Sequence, residues 1–230
     1  MKVLTGLLLF FLAYANAQEV SYPDFNAVDS LYREDQFYIG FTYNIIPNKP
    51  DGFSQNKFSA GLFGGVMRDM PINKSRTQAI AVGLGYGLQN YNYNLVTSGA
   101  KDSPMYHLQD EEIFYRKNKL SMHFIELPIE YRWRTSTPES HKFWRVYTGL
   151  KLSYLLHSRS IYDGEPEKVI IKSNPDLNKF RYGVYVASGY NTWNVNIYYG
   201  LNPLFKSAAK LNGEPIDLVT LNVGLMFYIL

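Results

Sequence analysis

Residues 125–134 read Ile-Glu-Leu-Pro-Ile-Glu-Tyr-Arg-Trp-Arg, so that every second side chain is apolar and the ones between are charged, apart from one proline. Successive side chains of a β-strand point to opposite faces. The stretch therefore predicts a strand with one wholly apolar face and one charged face.

The same period of two recurs in seven other segments of the chain. Together the eight predicted strands cover residues 36–46, 58–68, 78–89, 119–134, 143–156, 179–190, 194–202 and 216–230. No segment shows the pattern of an amphipathic helix. The sequence predicts an all-β fold, an eight-stranded antiparallel transmembrane up-and-down β-barrel whose last strand closes against the first.

The connections between the strands alternate in length. Those after the second, fourth and sixth strands are short: 69–77, 135–142 and 191–193. The others are longer: 47–57, 90–118, 157–178 and 203–215. Outer-membrane barrels alternate tight periplasmic turns with longer outer loops, so we expect an outer-membrane location with both chain ends in the periplasm.

The start of the chain has the order of a secretory signal peptide. Lys2 precedes an apolar run over 3–12, and Ala15-Asn16-Ala17 is a small-x-small cleavage site. We expect a cleaved signal peptide at 1–17, a periplasmic segment at 18–35 and the barrel at 36–230.

Composition excludes several functional classes. The chain has no cysteine, which rules out thiolate metal sites and cysteine nucleophiles. A formal net charge of +3 is too small to predict a nucleic-acid partner. No metal-ligand cluster or phosphate-binding loop appears, so we predict no cofactor.

A soluble lipocalin-type barrel is the rival fold, with its apolar face turned inward to a ligand. The face opposite the apolar stripe argues against it. That face carries Gly83, Gly85 and Gly87 on one predicted strand and bulky charged residues on later ones. Small residues facing large ones suit a narrow, filled lumen, which favours the membrane barrel.

The predicted lumen holds a polar network. Its members are Glu126, Glu130, Arg132, Arg134, Arg145, Lys151 and Arg181. They could select ions or bind a partner, but an eight-stranded barrel is just wide enough for its own side chains to fill it. We therefore favour a structural plug of paired charges.

The hairpin of the fourth and fifth predicted strands has a predicted register. A turn centred near Pro138 would place Trp133 opposite Trp144, Tyr131 opposite Val146 and Leu127 opposite Leu150. Aromatic residues collect where a membrane meets water. We expect an interfacial aromatic belt of Tyr131, Trp133 and Trp144.

Catalysis has one candidate pair. Ser121 and His123 share a face of a predicted strand, a spacing that permits a Ser-His pair in a lipid-modifying enzyme. His141 falls in a predicted turn, and His107 and His157 fall in predicted loops. Because a triad is recognised by geometry rather than by spacing, we predict that the protein is not an enzyme.

Three segments resemble the PorT family of Bacteroidetes outer-membrane β-barrels, called SprT in gliding bacteria. They are Arg68-Asp69-Met70-Pro71-Ile72-Asn73-Lys74, the run from Phe124 to Arg134, and Phe143-Trp144-Arg145-Val146-Tyr147-Thr148-Gly149. The resemblance covers most of the mature chain and carries no catalytic residues with it.

The resemblance implies an accessory or assembly role in the type IX secretion system, which exports proteins across the outer membrane and in some relatives supports gliding motility. The expected partners are outer-membrane lipid, other secretion components and the barrel-assembly machinery. The charged loop 101–118 is either a solvated outer loop or a docking surface for another envelope protein. A structural or small-solute porin-like barrel is the alternative function.

Overall fold

A computed structural model describes residues 36–55, 57–109, 114–135, 143–165 and 167–229. The predicted signal peptide 1–17, the segment 18–35 and His141 lie outside the described residues. No helix in the described ranges is long and apolar enough to cross a membrane.

The described chain forms strands of very different lengths. They are β1 (Gln36–Ile45), β2 (Ala60–Pro71), β3 (Gln78–Asn92), β4 (Leu95–Ala100), β5 (Ser103–Leu108), β6 (Tyr115–Arg134), β7 (Trp144–Gly164), β8 (Val169–Lys172), β9 (Phe180–Tyr190), β10 (Trp193–Gly200), β11 (Lys210–Leu211), β12 (Glu214–Pro215) and β13 (Leu221–Ile229).

Eight of these strands close into one antiparallel barrel. The ring runs β1, β2, β3, β6, β7, β9, β10, β13, and β13 pairs with β1 from Leu221 to Ile229. Each barrel strand therefore pairs with the barrel strands before and after it in the chain. The predicted eight-stranded up-and-down barrel is confirmed, and closure removes the unpaired edges that hydrocarbon cannot solvate.

The two faces of the barrel wall differ sharply in polarity. On β1, Phe37 is 64% exposed on the outside, while Thr42 and Asn44 are buried inside at 2% and 0%. On the other barrel strands too, the exposed outward side chains are mostly apolar, whereas the buried inward ones are mostly polar, aromatic or small, with a few methionines and leucines. The apolar face thus points outward, which excludes the lipocalin arrangement.

The predicted register of the β6–β7 hairpin is wrong by two residues. Trp133 lies opposite Val146, Tyr131 opposite Thr148 and Leu127 opposite Leu152. A slip of two residues returns every side chain to its own face, so alternation alone cannot separate the two registers. Trp144 lies beside β9 instead, opposite Tyr190.

The predicted loops 90–118 and 157–178 are largely strand. β6 and β7 run about ten residues past the nine to eleven that a tilted strand needs to span a bilayer, and β8 pairs with the projecting part of β7. β4 and β5 form a separate hairpin. His107 and His157 therefore lie on β5 and β7, not in loops.

An apolar core, here called the apolar cap, lies at the long-loop end of the barrel. It joins the projecting strand ends to the long connections, and its members include Tyr91, Tyr93, Phe124, Leu177, Phe205 and Leu218. Tyr106 packs on it and donates a hydrogen bond from its hydroxyl to Oδ2 of Asp176 at 3.0 Å. Burial raises the pKa of Tyr93 and Tyr106, so both hydroxyls stay neutral.

Candidate functional site

A carboxylate of β2 is the centre of the buried charges at the short-turn end of the lumen. Arg134 donates to Asp69 from Nη1 to Oδ1 at 3.0 Å and from Nη2 to Oδ2 at 2.9 Å. Arg132 donates from Nη1 to Oδ1 at 3.0 Å. All three side chains are 0% exposed. The fork of Arg134 makes a bidentate pair, the strongest geometry for such a contact.

Glu130 continues this network across the lumen. Its Oε2 accepts a hydrogen bond from Nε of Arg132 at 2.8 Å. Its Oε1 accepts from the hydroxyls of Tyr185 at 2.7 Å and Tyr228 at 3.1 Å. These contacts tie β2, β6, β9 and β13 together across the barrel. We call Asp69, Glu130, Arg132, Arg134, Tyr185 and Tyr228 the Asp69 network.

Arg145 lies beside the Asp69 network without joining it. Its guanidinium carbon is 4.5 Å from the ring centre of Phe143 and 5.4 Å from that of Tyr228. Its Nε and Nη1 are buried and have no hydrogen-bond partner among the described residues. Aromatic faces thus stabilise this cation where a carboxylate does not.

Glu126 and Lys151 form a second, looser pair in the middle of the lumen. Nζ of Lys151 is 3.3 Å from Oε1 of Glu126 and 4.4 Å from the ring centre of Tyr198. Two cavities of about 10 Å³ each adjoin the pair. A space of that size holds about one water molecule.

Arg181 occupies the lumen nearer the long-loop end. It donates from Nη2 to Oγ1 of Thr220 and from Nε to Oδ1 of Asn202, both at 3.3 Å. No carboxylate of the described chain lies within salt-bridge distance of it. The seven predicted lumen residues therefore divide among the Asp69 network, Arg145, the Glu126–Lys151 pair and Arg181.

Sequence reasoning missed Asp69, which it placed in a turn. The signal was available, because Asp69 continues the inward parity of Met67 and β2 extends to Pro71. The strand patterns placed Tyr185 and Tyr228 on the inward face, but the predicted polar network did not include them, since a tyrosine fits either face of a barrel strand.

Small residues on β3 make room for the large ones. A Cβ on Gly85 would come within 2.1 Å of the Tyr38 hydroxyl. A Cβ on Gly87 would come within 2.6 Å of Oε1 of Glu126. These close approaches explain why the face of β3 that looks into the lumen has no side chains at these positions.

The predicted aromatic belt faces outward. Tyr131 and Trp133 are each 43% exposed, and Trp144 is 60% exposed. Outward aromatic pairs that the sequence analysis did not name lie at the same end of the barrel: Trp144 with Tyr190 at 5.4 Å and Trp193 with Phe227 at 4.9 Å between ring centres.

Ser121 and His123 each bind a different partner. Ser121 donates from Oγ to Oδ1 of Asn90 at 2.8 Å. Nδ1 of His123 is hydrogen-bonded to the Tyr86 hydroxyl. The shared face predicted for the two residues therefore does not bring them together as a Ser-His pair. In the described part of the chain, no three His, Asp or Glu residues cluster as a metal site.

Comparisons with known proteins give one informative match. A family model described as outer membrane protein beta-barrel domain matches residues 16–206. No curated protein matches the chain. A solved structure described as "Asymmetric conductivity of engineered proteins" is 9% identical, with a TM-score of 0.22 over 86% of this chain and 100% of that one. A likeness that weak carries no argument about fold or function.

Proposed function

The chain belongs to the outer membrane protein beta-barrel domain family, and from this premise we propose that it is a non-enzymatic accessory or assembly component of the type IX secretion system. In this proposal the short turns and both ends of the chain face the periplasm. Its partners are other components of that system, together with outer-membrane lipid and, during insertion, the barrel-assembly machinery.

The filled lumen is the observation that best supports an accessory role. The Asp69 network crosses the lumen near the short-turn end, and the apolar cap covers the long-loop end. The cavities beside Glu126 and Lys151 have room for single water molecules. A barrel closed in this way has no passage for a protein cargo.

The secretion system itself is proposed from the three sequence segments that resemble the PorT family. Two of them contribute to the Asp69 network: Arg68 to Lys74 contains Asp69, and Phe124 to Arg134 contains Glu130, Arg132 and Arg134. The third, Phe143 to Gly149, contains Arg145 and Tyr147, whose side chains pack together. The segments that resemble the PorT family thus supply all the charged residues of the Asp69 network.

Deletion in the native host, followed by a secretion assay, tests the proposal. We expect cargo proteins to accumulate inside the cell and secretion to return when the intact gene is restored. A pull-down from native outer membrane should bring other secretion components with the protein. Normal secretion in the deletion strain would contradict the proposal, and a porin-like barrel would then be the better description.

A further inference from the structure

A groove on the outer wall of the barrel lies at the long-loop end, just beyond the band of outward apolar side chains, which we call the apolar belt. It has a volume of about 380 Å³ and is bounded by Tyr154, His157 and Ser158 on β7 and by Pro175, Lys179 and Lys206 on the connections above. Both lysines are exposed. Nζ of Lys206 donates one hydrogen bond, to the carbonyl of Pro175 at 2.6 Å, which leaves two of its three donors for a ligand.

The outward face changes character at this groove. Up to Leu156 the exposed side chains of β7 are mainly apolar, and beyond it come His157 and Arg159. Arg159 lies directly opposite Lys172 of β8. Like charges opposite each other destabilise a sheet unless something neutralises them. We call His157, Arg159, Lys172, Lys179 and Lys206 the basic rim.

Carboxylates of the described chain do not neutralise the basic rim. None forms a salt bridge with Arg159, Lys172, Lys179 or Lys206 within the ranges that the structure describes. Asp176, which lies in the connection between Lys172 and Lys179, turns its carboxylate to the Tyr106 hydroxyl. The positive charge of the basic rim that these carboxylates leave unpaired favours a negatively charged ligand.

An apolar groove continues from the basic rim toward the middle of the wall. It has a volume of about 310 Å³, and outward side chains form it: Leu84, Ile125, Leu127, Leu152, Tyr154 and Phe180. Tyr154 lines both grooves, and Phe180 follows Lys179 directly in the chain. The two grooves therefore adjoin on one wall, one cationic and the other apolar.

We infer that the two grooves form one binding site for a phosphorylated lipid of the outer leaflet. Its phosphate would lie between Lys179, Lys206 and His157, where ammonium groups make charge-assisted hydrogen bonds. An acyl chain would lie along the apolar groove below, which faces hydrocarbon in any case. The site depends on the orientation proposed above but not on a role in secretion.

Lipid binding to the purified, detergent-solubilised protein tests the site by native mass spectrometry. The probes are a diphosphorylated lipid A, the same lipid without its phosphates, and inorganic phosphate. We expect the phosphorylated lipid to bind at least about tenfold more tightly than the dephosphorylated one, because a single charged hydrogen bond already contributes about that factor. Inorganic phosphate alone should compete poorly, because it lacks an acyl chain.

Matched variants separate the two halves of the site. K179Q/K206Q should remove the preference for the phosphorylated lipid, while K74Q, at an exposed turn of the opposite end, should keep it. L152W should fill the apolar groove and weaken the binding of both lipids. L150W, on the same face but outside the groove, should leave the binding of both unchanged. Heat-modified migration on gels confirms that each variant is folded.

Three results would overturn the assignment. They are equal binding of the two lipids, the same preference in K179Q/K206Q as in the unmodified protein, and full displacement of the lipid by inorganic phosphate. None of them bears on secretion, which the deletion strain tests separately.

Discussion

Asp69 is the carboxylate that joins the two buried arginines of its network, Arg132 and Arg134. It accepts three hydrogen bonds from two arginines that have no exposed side-chain surface. Buried ion pairs add little net stability over apolar packing, but removal of one partner is costly because the other stays charged in a medium of low dielectric constant.

Asp69→Asn is therefore expected to lower the free energy of unfolding by about 3–5 kcal/mol, because it leaves Arg132 and Arg134 with one carboxylate fewer. Urea titration of the protein in lipid vesicles, followed by tryptophan fluorescence, measures the change. Asp102→Asn is the matched control, since Asp102 is exposed between β4 and β5. Equal stability of the two variants would show that Asp69 is not the centre of the network.

The residue scale also shows where sequence reasoning stops. Alternation identifies that Glu130 and Arg132 face the lumen, because parity along a strand is local information. It does not identify Asp69 as the partner of Arg132, because that contact joins residues 63 positions apart. Which lumen residues meet depends on how the eight strands are staggered around the barrel.

At the scale of the element, strand identity was predictable and strand register was not. Period-two patterns identify all eight barrel strands, and the central residues of each predicted strand lie in the observed strand. The β6–β7 register slipped by two residues because both registers keep Leu127 and Trp133 outward. The sequence of residues 136–142, which joins the two predicted strands, offers no strong two-residue hairpin signal such as Asn-Gly that would decide between the registers.

The long connections were also beyond local patterns. Their strands β4, β5 and β8 pack on the apolar cap or on the projecting part of β7. Short segments of this kind are stable only through tertiary contacts. Their local sequence therefore predicts loops. The apolar cap forms only because the fold brings Phe53, Tyr91 and Phe205, which are distant in sequence, into contact.

The outward face of β7 allows a test of the lipid-facing belt. Leu150→Arg is expected to destabilise the folded barrel in vesicles by about 2–4 kcal/mol, since Leu150 lies midway along the apolar stretch and a charge there meets hydrocarbon. His157→Arg, on the same face near the end of the stretch, should cost about 0–1 kcal/mol. Urea titration measures both. Equal costs would mean that the apolar belt does not end between these positions.

At the scale of the whole molecule, two kinds of closure act in series along the barrel axis. The Asp69 network fills one end with paired charges, and the apolar cap covers the other with aromatic and aliphatic side chains. An ion that entered from either end would have to displace one of them. Displacing the network exposes charges, and displacing the apolar cap exposes apolar surface, so both steps are unfavourable.

This double closure predicts the electrical behaviour of the purified protein. Reconstituted in planar bilayers, it should show no steady conductance, whereas an open porin inserted under the same conditions conducts continuously. Opening should stay rare even in Asp69→Asn, because the apolar cap lies at the other end of the barrel from the altered charge. A steady open channel in the unmodified protein would show that the lumen is a conduit, and would favour the porin-like function over the accessory one.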